Sequence, residues 1–327
     1  LYVGLFGFLW SKTDAADEAL VNEGEKGMAM TNVAKRSDVV QPKVVPFFDD
    51  DTNTFSYVVS GPTSNACAII DSVLEFDMAN GNVDREGADS IIRYVEKEGL
   101  EVEWIIETHV HADHLTAAPY LKNHLGGKIA IGDKVSLVQE VFGPIFNVEK
   151  EFRADGSQFD HLFVDGEEYT IGNLQAYAMH TPGHTPACMT HVIGDSVFVG
   201  DTIFMPDAGS ARADFPGGDA ATLYRSIHKV LSLPAESIIY MCHDYGEGRE
   251  MEYQTTVAQE LAENIHVNAA VKESDFVNMR NARDKTLAAP HLILPSLQVN
   301  MRAGHFPEAE DNGRTYLRIP VDAFRKQ

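Results

Sequence analysis

Apolar positions along the chain fall into short runs rather than one long period. From Val44 the text is strand-like: Val44–Phe48, Thr54–Val59 and Ala66–Ile70 are β-branched or aromatic stretches bounded by Asp, Gly and Pro clusters. Ala88–Glu98 then places Ile91, Ile92 and Val95 on one helical face and stops at Gly99. A further strand is expected over Val102–Ile106, a helix over Leu115–Leu125, a strand over Lys128–Ile131 and a helix over Lys134–Val141. Glu168–Ile171 and Leu174–Met179 read as strands joined by a Gly172-Asn173 turn, and Met189–Ile193 and Ser196–Val199 as a second pair around Gly194-Asp195. Helices at Ala220–Leu231, Glu252–Asn264 and Glu273–Lys285, with a strand at Ser237–Tyr240 among them, complete the pattern. Runs of strands interleaved with helices, without strict βαβ alternation, predict a layered α/β architecture with mixed sheets.

Composition narrows the class. Hydrophobic residues make up 44% of the 327 positions and charged residues 23%, the balance of a folded globular chain. The net charge of −23 repels nucleic-acid backbones and anionic membrane surfaces, so neither is expected as a partner. It also means that an anionic substrate needs local basic residues. Cys67, Cys188 and Cys242 are odd in number and far apart, which points to buried small hydrophobes in a reducing cytoplasm rather than a disulfide framework. The apolar opening Leu1–Trp10 is only half of the roughly 20 residues that a membrane span needs. Met28 or Met30 stands just before the first domain-like stretch. Residues 1–27 are therefore read as an upstream extension, an expression scar or a truncated leader, with a docked amphipathic arm as the alternative.

The candidate chemistry sits where predicted strands stop. Val102–Ile106 runs into Thr108-His109-Val110-His111-Ala112-Asp113-His114, three histidines and an aspartate within six residues, a donor set that suits zinc or iron. Three further strand ends carry His180-Thr181-Pro182-Gly183-His184-Thr185-Pro186, Gly200-Asp201-Thr202 and Met241-Cys242-His243-Asp244. Any one of these could be an ordinary turn. Four such segments converging on one sheet edge make a ligand site, since open α/β sheets bind ligands there. Asp71 reads as a structural hydrogen-bonding residue, and Cys242, beside His243, carries modulation of the site as its alternative to a buried hydrophobe.

Together THVHADH, TPGHTP, GDT and CHDY resemble the motif set of the metallo-β-lactamase superfamily. More narrowly they resemble the persulfide dioxygenase branch (the ethylmalonic-encephalopathy-protein type) and its bacterial β-lactamase-like hydrolase relatives, with glyoxalase II more distant. The resemblance spans Val44–Val321 and includes Asp214–Gly218, Thr222–Ser226 and Leu294–Arg302. It implies an αβ/βα four-layer sandwich with two mixed β-sheets and outer helices. Residues 1–43 become an N-terminal extension, non-native or disordered, and 44–327 a catalytic domain with a C-terminal helical and substrate-facing segment. The resemblance further implies one Fe(II) per chain on His109, His184 and Asp201, with His111, Asp113, His114 and His243 as outer residues or as ligands of a second metal. Asp113, His243 and Tyr245 would then be catalytic, and Arg212, Tyr245, Met301 and Arg302 substrate-binding. Of the two histidines flanking Thr181-Pro182-Gly183, the family's ligand falls on His184, which leaves His180 as a wall or hydrogen-bonding residue. The implied reaction is oxidation of glutathione persulfide by O2 to sulfite and glutathione. A glyoxalase II-like hydrolase of thioesters or esters, with Zn(II) or a dinuclear centre, is the alternative. A cytoplasmic homo-oligomer without nucleic-acid or membrane partners is expected.

Overall fold

Alternation within the strands decides the layers of the computed structural model, which describes residues 40–246 and 248–323. The extension expected over 1–43 lies outside the described residues as far as residue 39. The first sheet runs in the order β1 (Lys43–Asp49), β2 (Thr54–Ser60), β3 (Ala66–Ile70), β4 (Glu101–Ile106), β5 (Lys128–Gly132), β6 (His161–Phe163). Its first three strands are antiparallel, and β3 to β6 are parallel. The second sheet is β7 (Glu168–Ile171), β8 (Leu174–His180), β9 (Met189–Ile193), β10 (Ser196–Phe198), β11 (Ile238–Tyr240), β12 (Gln254–Thr256), antiparallel except for the β10–β11 pair.

Because successive side chains on a strand point to opposite faces, each sheet feeds two cores. Ala66, Ala68 and Ile70 of β3 pack with Tyr57, Met189 and Phe198 between the sheets. Cys67 and Ile69 face the other way, onto α1 (Glu86–Glu98), α2 (Ala118–Leu125) and α3 (Val135–Phe146). A bulge at Cys67/Ala68 shifts the register against β4, so that Val102 and Ile105 share the helix face while Ile106 points between the sheets. On the far side, Val192, Val197 and Ile239 pack against α4 (Ala220–Val230) and α6 (Glu273–Asp284), with Val257 from α5 (Val257–Glu263) in the same cluster. Helix, sheet, sheet and helix stack as the four-layer sandwich expected.

Several boundaries differ from the sequence reading. Leu115–Thr116 is not helical but pairs with Val73–Leu74, and α2 begins only at Ala118, where Pro119 sits in a first turn that needs no donor. Helix α3 runs on to Phe146 through Pro144 and ends at Asn147 in the left-handed region. The stretch read as one helix from Glu252 opens with the edge strand β12, and the Thr256 side chain then accepts from Gln259 N to start α5. The short strand β6 and helix α7 (Ile293–Asn300) carry no period that the sequence reading found. Among the described residues, no helix is long and apolar enough to cross a membrane.

Candidate metal centre

Four strand ends, drawn from both sheets, deliver the site. β4 leads into Glu107–His114, β8 into Thr181–His184, β10 into Gly200-Asp201, and β11 into Cys242-His243. Close approach of these loops depends on glycine. Gly200 has φ 51°, and a Cβ there would stand 2.4 Å from Thr108 Oγ1, so only glycine lets the Asp201 turn lie on the Thr108-His109 backbone.

One atom from each of His109, His184 and Asp201 falls within 4.8 Å of the others, and all three residues are buried. Asp201 Oδ2 stands 3.9 Å from His109 Nε2 and 3.5 Å from His184 Nε2. Which ring nitrogen is free follows from the hydrogen bonds. Asp71, itself buried, accepts from Thr108 N at 2.7 Å and from the Thr108 hydroxyl at 2.9 Å. With its proton given to that carboxylate, Thr108 Oγ1 can only accept from His109 Nδ1, 3.0 Å away. His109 Nε2 is thereby left with a lone pair facing the cluster. His184 Nδ1 donates to the Arg212 carbonyl at 2.8 Å, which frees its Nε2 in the same way. His111 is turned the other way round: its Nε2 bonds Asp71 at 3.0 Å and lies 3.3 Å from Glu107, leaving Nδ1 free.

A second group adjoins the first. His111, Asp113 and His114 form their own cluster, and His243 Nε2 lies 3.3 Å from both Asp113 and Asp201. His243 Nδ1 donates to Asn53 O at 3.2 Å, with Thr54 Oγ1 at 3.3 Å. Buried atoms without a hydrogen-bond partner include His109 Nε2, His111 Nδ1, His114 Nε2, His243 Nε2 and Asp201 Oδ1. Orphaned buried nitrogens and oxygens are costly unless something binds them. Their collection in two adjoining groups, all of ligand type, fits bound metal.

Electrostatics agree with that fit. Burial works against charge on Asp201, yet His243, His184 and His109 hold its carboxyl well below the usual range. Burial likewise opposes charge on Asp71, but His111 brings it down to about 2. Burial lowers and the Asp201 and Asp113 carboxylates raise the imidazole of His243, with the net result about 9. The space between those two carboxylates is therefore one that a cation fills, either a proton on His243 or a metal. All three cysteines are buried, and burial lifts the thiols of Cys67 and Cys188 to about 12. Cys242 stands beside Asp201 and His243 with its thiol pushed up by burial first and by Asp71 next.

The cluster opens into a cavity of about 520 Å³. His184, Asp113, Asp201, His243 and Tyr245 line it, and Phe204 and Phe215 supply apolar wall. Tyr245 is half exposed and stacks on the His243 ring with centroids 6.4 Å apart. Arg212 also lines the cavity, but its guanidinium is held by Asp214 at 2.6 and 2.9 Å and by the Ala288 carbonyl.

Met301 and Arg302, expected at the substrate, are not brought to this cavity. Met301 is fully buried in the helix-side core. Arg302 forms a two-pronged pair with Glu149, lies over the Phe152 ring at 4.7 Å, and so has its charge already satisfied. Their neighbour Asn300 carries the segment's contact with the site. Its Nδ2 donates to the carbonyls of His111 (2.9 Å) and His114 (2.7 Å), and its Oδ1 accepts from Thr116 N at 2.9 Å. Sequence reasoning missed Asn300, one of three polar residues in Ile293–Asn300, and nothing in the sequence singled it out from Ser296 and Gln298. Asn53, which acts through a backbone carbonyl, left none. His180 lies outside the cavity lining and bonds the Pro186 carbonyl at 2.9 Å, a structural contact.

Comparison with known proteins follows the same lines. The sequence profile of the Metallo-beta-lactamase superfamily matches residues 49–243. A probable metallo-hydrolase of Burkholderia pseudomallei is 56% identical over 288 residues, covering 85% of this chain and 98% of that protein. The mitochondrial persulfide dioxygenase ETHE1 of Homo sapiens is 29% identical over 260 residues, covering 79% of this chain and 87% of its own. Among solved structures, ETHE1 from Myxococcus xanthus superposes with a TM-score of 0.64 at 26% identity, covering 80% of this chain and all of that one.

Proposed function

The chain belongs to the metallo-beta-lactamase superfamily, and from that premise we propose that it is a mononuclear iron sulfur dioxygenase acting on glutathione persulfide. The observation that carries this reading is the trio His109, His184 and Asp201: two imidazoles and one carboxylate, mutually close, the donor types that would hold a non-haem iron. Likeness to a persulfide dioxygenase supports the substrate class. Bound to the trio, Fe(II) would supply the redox chemistry that lets dioxygen react with sulfur.

The net reaction takes the persulfide, one O2 and one water to glutathione, sulfite and two protons. The S–S bond breaks, and four electrons pass from the outer sulfur to O2. This chain's residues would do the rest. The Asp71–Thr108 relay and the Arg212 carbonyl fix the tautomers of His109 and His184. Phe204 and Phe215 would give the sulfur a dry wall, and Tyr245 lines the cavity with its ring against those of Phe204 and His243. Asp113 and His243, 3.3 Å apart, would take up and release the protons.

A second reading, a dinuclear hydrolase of thioesters or esters, is favoured by a different observation. His114 and His243 each leave a buried Nε2 unpaired beside Asp113, the makings of a second metal position. The relative that is 56% identical carries a hydrolase name. In a dinuclear enzyme the second metal helps to generate the attacking hydroxide.

The substitution His243→Ala separates the two. For the dioxygenase, anaerobically purified wild type holds one iron per chain, and the variant keeps it while oxygen uptake with glutathione persulfide falls about 10–100-fold. Two metals in the wild type, loss of one in the variant, hydrolysis of a glutathione thioester and no oxygen uptake would replace the dioxygenase with the hydrolase.

A further inference from the structure

Four arginines line the cavity beside the metal ligands, in a protein with 26 basic and 49 acidic residues. Three of them are neutralised in place. Arg212 is clasped by Asp214, Arg249 by Asp244 and Asp207, and Arg280 by Asp284. Arg283, in the last turn of α6, is the exception: among the described residues its guanidinium has no carboxylate or carbonyl partner, and it is exposed. It also stands close enough to Arg280 for their like charges to interact unfavourably, while the Asp284 and Asp214 carboxylates offset that at Arg280. His291, exposed, lines the same cavity. Asp51 is the counterpart of opposite sign, an exposed carboxylate on the cavity wall without a partner among the described residues.

An unpaired cation and an unpaired anion on the wall of one cavity complement a ligand that carries both charges. We propose that Arg283, aided by His291, anchors a carboxylate of the substrate while Asp51 receives its ammonium group, so that the site selects a zwitterionic peptide persulfide over a small or polyanionic one. The proposal rests on the sulfur-dioxygenase reading of this site and names what holds the distal end of the molecule. Arg at such a place can form two parallel hydrogen bonds to one carboxylate. Metal ligands then need only receive the sulfur.

The test is calorimetric binding of S-methylglutathione, an unreactive stand-in, to metal-loaded wild type and to R283A, R283Q and D51N. Because both positions are exposed, the variants should melt with the wild type, which a thermal scan checks. Removing a charge-assisted hydrogen bond should weaken binding about tenfold in each Arg283 variant. In steady state, R283A should raise KM for glutathione persulfide by a similar factor with kcat within about twofold, since the contact is made equally before and during reaction. A neutral small persulfide, lacking the carboxylate, should be turned over alike by wild type and R283A. If R283A binds S-methylglutathione as tightly as wild type, or if wild type does not bind it at all, the anchor is wrong. Wild type that binds S-methylglutathione but consumes no oxygen would overturn the dioxygenase and leave the anchor standing.

Discussion

A side chain that never touches the metal can decide how well it is held, and Thr108 is the clearest case. Its hydroxyl stands between Asp71 and His109, donating to one and accepting from the other. Thr108→Val keeps the shape but removes both bonds, so His109 loses the contact that fixes its tautomer, and the buried Asp71 carboxylate loses a donor. We expect metal affinity to fall about 10–100-fold, read by competition with a chelator. Thr108→Ser keeps the hydroxyl and should restore most of it. An unchanged affinity in the Val variant would show that packing alone orients His109. That His109, His184 and Asp201 come together was legible in the sequence because His and Asp are dense there and sit at strand ends. The relay was legible only in part: Asp71 reads as a structural hydrogen-bonding residue, as it proves to be, but its partner Thr108 is 37 residues away and nothing local pairs the two.

At the scale of elements, helix α7 has the role that the sequence left open. The segment Leu294–Arg302 was expected at the substrate because it resembles the substrate-facing segment of the persulfide dioxygenase branch. In the fold, Arg302 turns to Glu149, 153 residues away, and the apolar side chains of α7 enter the helix-side core. That packing carries Asn300 to the His111–Thr116 backbone, from which it is separated by 184 to 189 residues. Such distant pairing leaves no periodic signal, just as the three-residue strands β6 and β12 leave none. The longer strands and helices were legible from their alternation and 3.6-residue spacing. Asn300→Ala strips partners from two buried carbonyls and one buried N–H, each worth about 1–3 kcal/mol when orphaned. We expect a melting temperature lowered by several degrees together with faster loss of metal to a chelator. Asn300→Asp retains the acceptor for Thr116 but sets a carboxylate against two carbonyl oxygens, so it should not rescue. A variant that melts early yet holds metal as tightly as wild type would confine Asn300 to the fold.

For the whole molecule, pH is where the acidic composition and the four-layer burial meet. Most of the 49 acidic residues can remain in water, but Glu260 of α5 is fully buried, with Asn264 Nδ2 donating to it at 2.6 Å and its other oxygen unpaired. Burial pushes its carboxyl up to about 8, and the nearby Asp207 adds to the rise. The unfolded chain would titrate this group at its ordinary value of 4.5, so between about 4.5 and 8 the folded state holds a proton that the unfolded state has released. Stability from this group is thus full below 4.5 and is lost as pH rises through 8. This runs against the buried site carboxylates Asp71 and Asp201, whose depressed values favour the fold at higher pH and lose that contribution on acidification. The two trends place the stability maximum on the acidic side of neutrality. Glu260→Gln keeps the shape and removes the titration. A melting series from pH 5 to pH 8.5 should therefore fall by several degrees in wild type and flatten in the variant, with the alkaline end raised. A wild-type curve as flat as that of Glu260→Gln would mean that Glu260 is ionised in the fold, with water reaching α5 where the packing closes it off.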